Sequence, residues 1–204
     1  MKLYNSGGPN PRMVRMFMAE KGVAVDKIEI DLRGGENRRE PYLQVNAAGQ
    51  TPALMLDDGT VIAEITAICE YIDEIKKDTP SLIGGTAVER AATRMWVRRI
   101  DLNILEPGAN GFRFAEGLKM FESRVHCIPQ AADDLKATAR EKLIWLDGLM
   151  GSKPFIAGDK LTMVDILLFA FLDFMKAVGQ PLDPVNKNLT AWFERMKARP
   201  SAAA

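Results

Sequence analysis

Apolar positions recur at steps of three and four in the first part of the chain. Val14, Phe17 and Met18 fall on one stripe that Lys21 completes, with Met13 beside them, and this period predicts a helix. Pro11 suits its first position, Asn10 its N-cap and Gly22 its stop. Before it, Lys2-Leu3-Tyr4-Asn5 reads as a short strand running into the turn cluster Ser6-Gly7-Gly8-Pro9-Asn10-Pro11. Residues 27–32 alternate apolar and polar, the period of a strand. Residues 33–39 form a polar loop, 40–45 a short helix, and Asn46-Ala47-Ala48-Gly49 closes it. Pro52 has no N–H and begins a strand. Asp58-Gly59 predicts a tight primed turn into a second strand, and a helix opens at Glu64 and runs through Ile68, Tyr71, Ile72 and Ile75.

The order is β-α-β-α-β-β-α. Two strands joined through a helix predict a parallel pair with a right-handed crossover, and the last two an antiparallel hairpin. That mixed four-stranded layout is thioredoxin-like. Residues 76–85 have linker composition, and beyond them the pattern is helical over 86–105, 129–150, 162–178 and 189–198. The expected division is a domain at 1–77, a linker at 78–86 and an all-α domain at 87–204, an α/β unit followed by a helical one. Residues 166–172 are apolar almost all round, which marks the buried centre of the helical domain. Thr162 and Asp165 fit a capping box at its start, with Leu161 and Ile166 as a hydrophobic staple. The alanines at 202–204 are expected to fray.

Composition narrows the function classes. The chain has 204 residues with 27 Lys plus Arg against 27 Asp plus Glu, so no net field draws it to nucleic acid or a membrane surface. No apolar run approaches the roughly 18 residues of a spanning helix, and the N-terminal residues lack the apolar core of a secretory signal. Cys69 and Cys127 have neither metal nor redox spacing and read as free thiols in the cytoplasm. No metal site is expected. His126, the single histidine, has no partner that would make a triad. Residues 50–68 bring a proline-bent loop, a hairpin and a helix N-terminus close together, a place to hold a small anion.

Three segments resemble the cytosolic glutathione transferases, of bacterial type and closest in motif to the nu, theta and phi classes. Asn46-Ala47-Ala48-Gly49-Gln50-Thr51-Pro52-Ala53-Leu54 is similar to the family's N-P-x-G-Q-V-P-A-L segment, and Glu64-Ile65-Thr66-Ala67-Ile68 to its E-S-x-A-I segment. Residues 158–165 resemble its helical-domain capping motif. The resemblance implies glutathione as cosubstrate rather than a permanently bound cofactor, a hydrophobic electrophile as second substrate, and a homodimer. The implied activity is conjugation of the glutathione thiolate to electrophilic, largely apolar small molecules. Glutathione-dependent peroxide or disulfide reduction, and a non-catalytic binding or regulatory role, are the alternatives.

The same resemblance implies roles for individual residues. Thr51, before a proline that is cis in the family, would exchange backbone hydrogen bonds with the cysteinyl unit of glutathione. Glu64 would accept its α-ammonium, the Ile65 N–H at a helix start would hold the γ-glutamyl carboxylate, and Thr66 beside it offers a hydroxyl. Ile65 stands where the family has serine. Arg38, Arg39 and Gln50 lie where the family binds the glycyl carboxylate, and the choice between the two arginines stays open. For the thiol, Gly8 occupies the serine place of the theta and phi classes, while Gly8-Pro9-Asn10 is closer to the T-P-N of nu-class-like enzymes. Asn10 is the first candidate to activate the thiol, Ser6 the second and Tyr4 the third. Phe112, Arg113 and Phe114, following a break at Pro107-Gly108, are candidates to line an electrophile pocket between the domains.

Overall fold

In the computed structural model, which describes residues 1–204, the chain forms two compact units, Met1–Leu82 with Arg199–Ala204, and Ile83–Ala198. The first holds β1 (Lys2–Asn5), α1 (Pro9–Glu20), β2 (Asp26–Glu29), α2 (Tyr42–Val45), β3 (Ala53–Met55), β4 (Val61–Ala63) and α3 (Ile65–Ile75). The sheet order is β2-β1-β3-β4, with β1 parallel to β2 and antiparallel to β3, and β3 antiparallel to β4. This is the mixed thioredoxin-like sheet that the hydrophobic pattern predicts. Leu3 and Leu54 from the strands, Met13, Val14 and Phe17 from α1, and Ile68 and Ile72 from α3 are fully buried together. Lys21 is buried at the end of α1, where its ammonium meets Asp73 at 3.0 Å and the Pro80 carbonyl at 3.0 Å. Both acceptors are needed to offset the cost of burying the charge.

Three local expectations are corrected. Helix α1 begins at Pro9, not Pro11, and its N-cap is Gly8, not Asn10. Gly8 has φ 108°, which a glycine tolerates, and Pro9 already carries a helical φ. The β3–β4 connection is not a two-residue primed turn at Asp58-Gly59. Leu56 N–H bonds to Thr60 O and Gly59 N–H to Leu56 O, so Asp57, Asp58 and Gly59 form a three-residue loop in which only Gly59 (φ 88°) is left-handed. The strand expected at 27–32 stops at Glu29. It lies at the sheet edge, exposed throughout, and Ile30 turns inward beyond its end.

Residues 199–204 do not fray, and they do not belong with the helical unit. Pro200–Ala203 form a 3-10 turn, Ser201 is buried, and Arg12 donates to Ala202 O at 3.0 Å. Arg199 grips both oxygens of Glu20 in α1, at 2.7 and 2.8 Å, and Ser201 donates to the same carboxylate. A bidentate charged fork holds a short segment in a way that alanine composition does not reveal.

The second unit holds α4 (Ala87–Ile100), α5 (Glu106–Arg113), α6 (Leu118–Phe121), α7 (Ala132–Met150), α8 (Met163–Ala177) and α9 (Lys187–Lys197). It is helical apart from one isolated bridge between Phe155 and Gly158. Helix α8 is its buried centre, with Val164, Ile166, Leu168, Phe169 and Ala170 fully enclosed. The capping box is present, and Asp165 does more than cap. Its carboxylate accepts from Ile156 N–H, Thr162 N–H and Trp192 Nε1, each at 2.9 Å, and from the Thr162 hydroxyl at 3.0 Å. Burial pushes the Asp165 carboxyl up, against these four donors.

Pro107-Gly108 does not break the chain. Between α4 and α5, Asp101–Leu105 form a π turn in which Glu106 N–H reaches back to Asp101 O, and the helix continues to Arg113. Proline lacks an N–H wherever it stands, and the wider turn carries the chain past it without a stop.

Candidate functional site

The strand register gathers one set of groups at one end of the first unit. Tyr4 pairs with Ala53 and Ala53 with Ala63. The residues just beyond these pairs, Ser6, Thr51, Pro52 and Glu64, therefore sit side by side, with the starts of α1 and α3 next to them. Ser6 Oγ and Thr51 Oγ1 lie 2.6 Å apart and both residues are buried. The Thr51–Pro52 peptide is cis. Gln50 O, one residue earlier, accepts from the Tyr42 hydroxyl at 2.6 Å and Asn46 Nδ2 at 2.8 Å, which fixes the loop. Burial pushes the Tyr42 hydroxyl up to about 12, so it remains a donor throughout the neutral range.

Glu64 is the N-cap of α3 and the only non-glycine residue with positive φ, 69°. It is exposed, and its side chain makes no capping bond. Such a conformation costs roughly 1–3 kcal/mol and persists where the surroundings or a ligand demand it. With no cap from a side chain, the first N–H groups of α3, at Ile65, Thr66 and Ala67, form an open set of donors at the positive end of the helix.

The start of α1 is sparser. Pro9 and Pro11 have no N–H, so Asn10 carries the one backbone donor of the first three positions, and its side-chain amide stands beside it, half-buried. Ser6 is differently engaged. Its hydroxyl is taken by Thr51 and by Gly7 O at 3.2 Å, and it ties the β1–α1 loop to the loop before β3. Tyr4 lies inside β1, edge-on to Tyr42 at 5.8 Å, with its hydroxyl 3.8 Å from Met55 Sδ.

The two arginines separate. Arg39 donates to the carbonyls of Gly34 at 2.9 Å and Gly35 at 3.4 Å within its own loop. Arg38 lies along Gly49. A Cβ added there would be 3.2 Å from Arg38 Cδ and 3.4 Å from Nη1, so the missing side chain lets the arginine pass beside the Gln50 loop. Gln50 itself is exposed.

Phe112, Arg113 and Phe114 are in the helical unit, at the end of α5 and just past it. The Phe112 ring packs edge-on against Phe174 at 5.3 Å and Phe121 at 6.0 Å. Arg113 donates to Asn110 and lies over the Phe121 ring. Phe114 is a core residue, 8% exposed. The structure thus brings Phe112 and Arg113 together around Phe121 and sets Phe114 inward. Cys69 is buried, which pushes its thiol well up and leaves it inert as a nucleophile.

Sequence reasoning missed a polar support behind the site. Asn5 Nδ2 donates to Glu29 at 2.6 Å, and Arg15 donates to Asn5 Oδ1 at 2.7 Å and Ser6 O at 3.3 Å. Asn37 Nδ2 likewise holds Gly49 O at 2.6 Å. Burial pulls the Arg15 guanidinium down from its ordinary value, against the neighbouring Glu29. The parallel register of β1 with β2 was the one available signal, since it sets Asn5 opposite Glu29.

Comparison with known proteins agrees with this geometry. The family model of the glutathione S-transferase N-terminal domain matches residues 7–75, and that of the C-terminal domain residues 129–195. Glutathione S-transferase 2 of Saccharomyces cerevisiae is 34% identical over 98% of this chain and 87% of its own length. GstA of Escherichia coli O157:H7 is 27% identical over 98% of this chain and 94% of its own. Among solved structures, Gtt2 from Saccharomyces cerevisiae superposes with a TM-score of 0.92 at 34% identity, covering 100% of this chain and 99% of that one. A Gtt2-class enzyme of Vibrio parahaemolyticus gives 0.83 at 32% identity, covering 98% and 94%. The chain belongs to the glutathione S-transferase family.

Proposed function

We propose that this transferase adds the thiolate of glutathione to electrophilic, largely apolar small molecules. The observation that carries the reading is the pairing, at one end of one sheet, of the Thr51-Pro52 backbone edge with an uncapped helix start at Glu64–Thr66. An extended peptide adds to such an edge by backbone hydrogen bonds. The γ-glutamyl carboxylate takes the N–H groups of Ile65 and Thr66, and the α-ammonium takes the Glu64 carboxylate. These contacts reward the strained backbone of Glu64. Because the donors are main-chain, isoleucine at position 65 does not remove them. Arg38, with Gln50, receives the glycyl carboxylate, whereas Arg39 is occupied by its own loop.

Asn10 is assigned to the thiol. An ordinary thiol titrates near ~8.5, and donors at a helix N-terminus favour the thiolate. The backbone and side-chain N–H groups of Asn10 supply those donors. The sulfur then attacks the electrophile, forming the S–C bond as the leaving group departs with its electron pair, and the thiol proton passes to solvent. Phe112, Arg113 and Phe114 are the residues proposed toward the electrophile, Phe112 and Arg113 before the more buried Phe114.

The molecule is proposed to act as a cytoplasmic homodimer. No helix is long and apolar enough to cross a membrane, and both cysteines are free. Val88, Met95 and Leu102 are exposed at seven-residue intervals, 79, 42 and 49%, an apolar stripe in need of cover. Calorimetric titration with glutathione tests the core of this reading. A saturable isotherm followed by conjugation of an activated aryl halide is expected, and absence of binding at millimolar glutathione would overturn it.

A further inference from the structure

Three buried side chains hold one turn of the first unit by its carbonyls. Tyr42 and Asn46 donate to Gln50 O from α2 and its C-terminal end. Asn37 Nδ2 donates to Gly49 O at 2.6 Å from a separate 3-10 turn, Glu36–Arg38. We infer that Asn37 is a positioning residue for the glycyl end of glutathione and sets the spacing between Arg38 and Gln50. On the glutathione reading given above, on which this rests, those two residues receive the glycyl carboxylate. Each end of the Asn37–Gly49 bond lies one position before one of them.

Tyr42 and Asn46 are local to the Gln50 turn, 8 and 4 positions away, whereas Asn37 reaches it from 12 positions away and on a different turn. It is therefore the tie between the two turns. They are in close contact. A Cβ on Gly49 would lie 2.8 Å from Asn37 O and 3.2 Å from Arg38 Cδ, so a glycine, here at φ 61°, lets the two backbones approach. The bond supplies place more than stability. Asn37 is 4% exposed and its Oδ1 is buried without a partner. An amide that leaves one atom unanswered in the interior loses in desolvation much of what its one bond gains. Arg38 and Gln50 are both exposed. With their turns tied beforehand, less order has to be imposed when a carboxylate spans them.

γ-Glutamylcysteine, which lacks the glycine, is the discriminating probe. Calorimetry on the full chain should show glutathione bound more tightly than this dipeptide. Asn37→Ala should weaken glutathione about tenfold and γ-glutamylcysteine less than about twofold. The dipeptide thereby reports that the variant is folded and the rest of the site intact. Asn37→Asp keeps the shape but turns a carboxylate toward the Gly49 carbonyl. Its glutathione affinity should recover as pH falls, when the buried carboxyl takes a proton and donates it, a rise absent from the unmodified chain. In an Arg38→Ala background, Asn37→Ala should add little to the lost discrimination. Hydrogen exchange on the unmodified chain is independent of every variant: glutathione should protect residues 36–39, and γ-glutamylcysteine should not. Equal weakening of both ligands by Asn37→Ala, unchanged glutathione affinity, an additive loss in the Arg38→Ala background, or no protection at 36–39 would each overturn the assignment. An unmodified chain that binds both ligands alike would remove the Arg38 and Gln50 subsite with it, and one that binds neither would remove the glutathione reading as a whole.

Discussion

Asn10 and Ser6 are both polar residues near the start of α1, and their surroundings give them different work. Asn10 has unengaged donors at a helix start, and Asn10→Ala should lower kcat/KM for conjugation about 10–100-fold and move the acidic limb of the pH–rate profile upward. Ser6 has a hydroxyl already spoken for by Thr51. Ser6→Ala should cost about 1 kcal/mol of stability in urea denaturation with a smaller loss of turnover. A larger loss of turnover in Ser6→Ala than in Asn10→Ala would move the thiol to Ser6. Glu64→Gly makes a different test. Relief of the positive φ should stabilise the fold by about 1 kcal/mol, while the lost carboxylate raises KM for glutathione about tenfold. Thr51, Pro52 and Glu64 are proposed from the family resemblance of their segments, and the strand register sets them side by side. Arg15, Asn5 and Tyr42 could not be picked out that way. Each takes its role from a partner brought in by the fold, such as Glu29 or the Gln50 carbonyl.

At the scale of elements, the pattern of apolar positions found every strand and every long helix, and failed where one residue conflicted with its neighbours. Pro107 reads as a stop, but the π turn before it relocates the backbone bonds and α5 goes on. Asp58-Gly59 reads as a two-residue turn, yet only the glycine adopts positive φ, and Asp57 enters the loop. The capping box at Thr162 was legible, whereas the reach of Asp165 to Ile156 and Trp192 was not, since those partners are distant in sequence. Asp165→Ala would leave four donors without their acceptor, those of Ile156 and Trp192 buried, and should cost at least about 3 kcal/mol, read as a lower urea midpoint. The Glu20–Arg199 clasp carries a pH signature. Burial raises the Glu20 carboxyl, but the bonds from Arg199 and Ser201 outweigh it and hold it below its ordinary value of 4.5. Its contribution is therefore complete above that value and disappears as pH falls through the lowered one. Glu20→Gln should cost about 1–2 kcal/mol at pH 7, and the difference from the unmodified chain should shrink on acidification below 4.5.

For the molecule as a whole, the exposed stripe of Val88, Met95 and Leu102 is the feature on which the proposed dimer rests. Met95→Glu should convert a dimer to monomers in light scattering, with the far-ultraviolet spectrum unchanged. A monomeric unmodified chain would remove the proposal. The two-unit layout was visible as a switch from mixed to purely helical periodicity. Its closure was not, because composition at 199–204 gave no sign of the partner in α1. That closure bears on the order of events during synthesis. Glu20 and Arg199 are 179 positions apart, so at ordinary elongation rates the ribosome supplies the second about 10–35 s after the first. Until then α1 carries an unanswered carboxylate, and the unit that is made first is finished last.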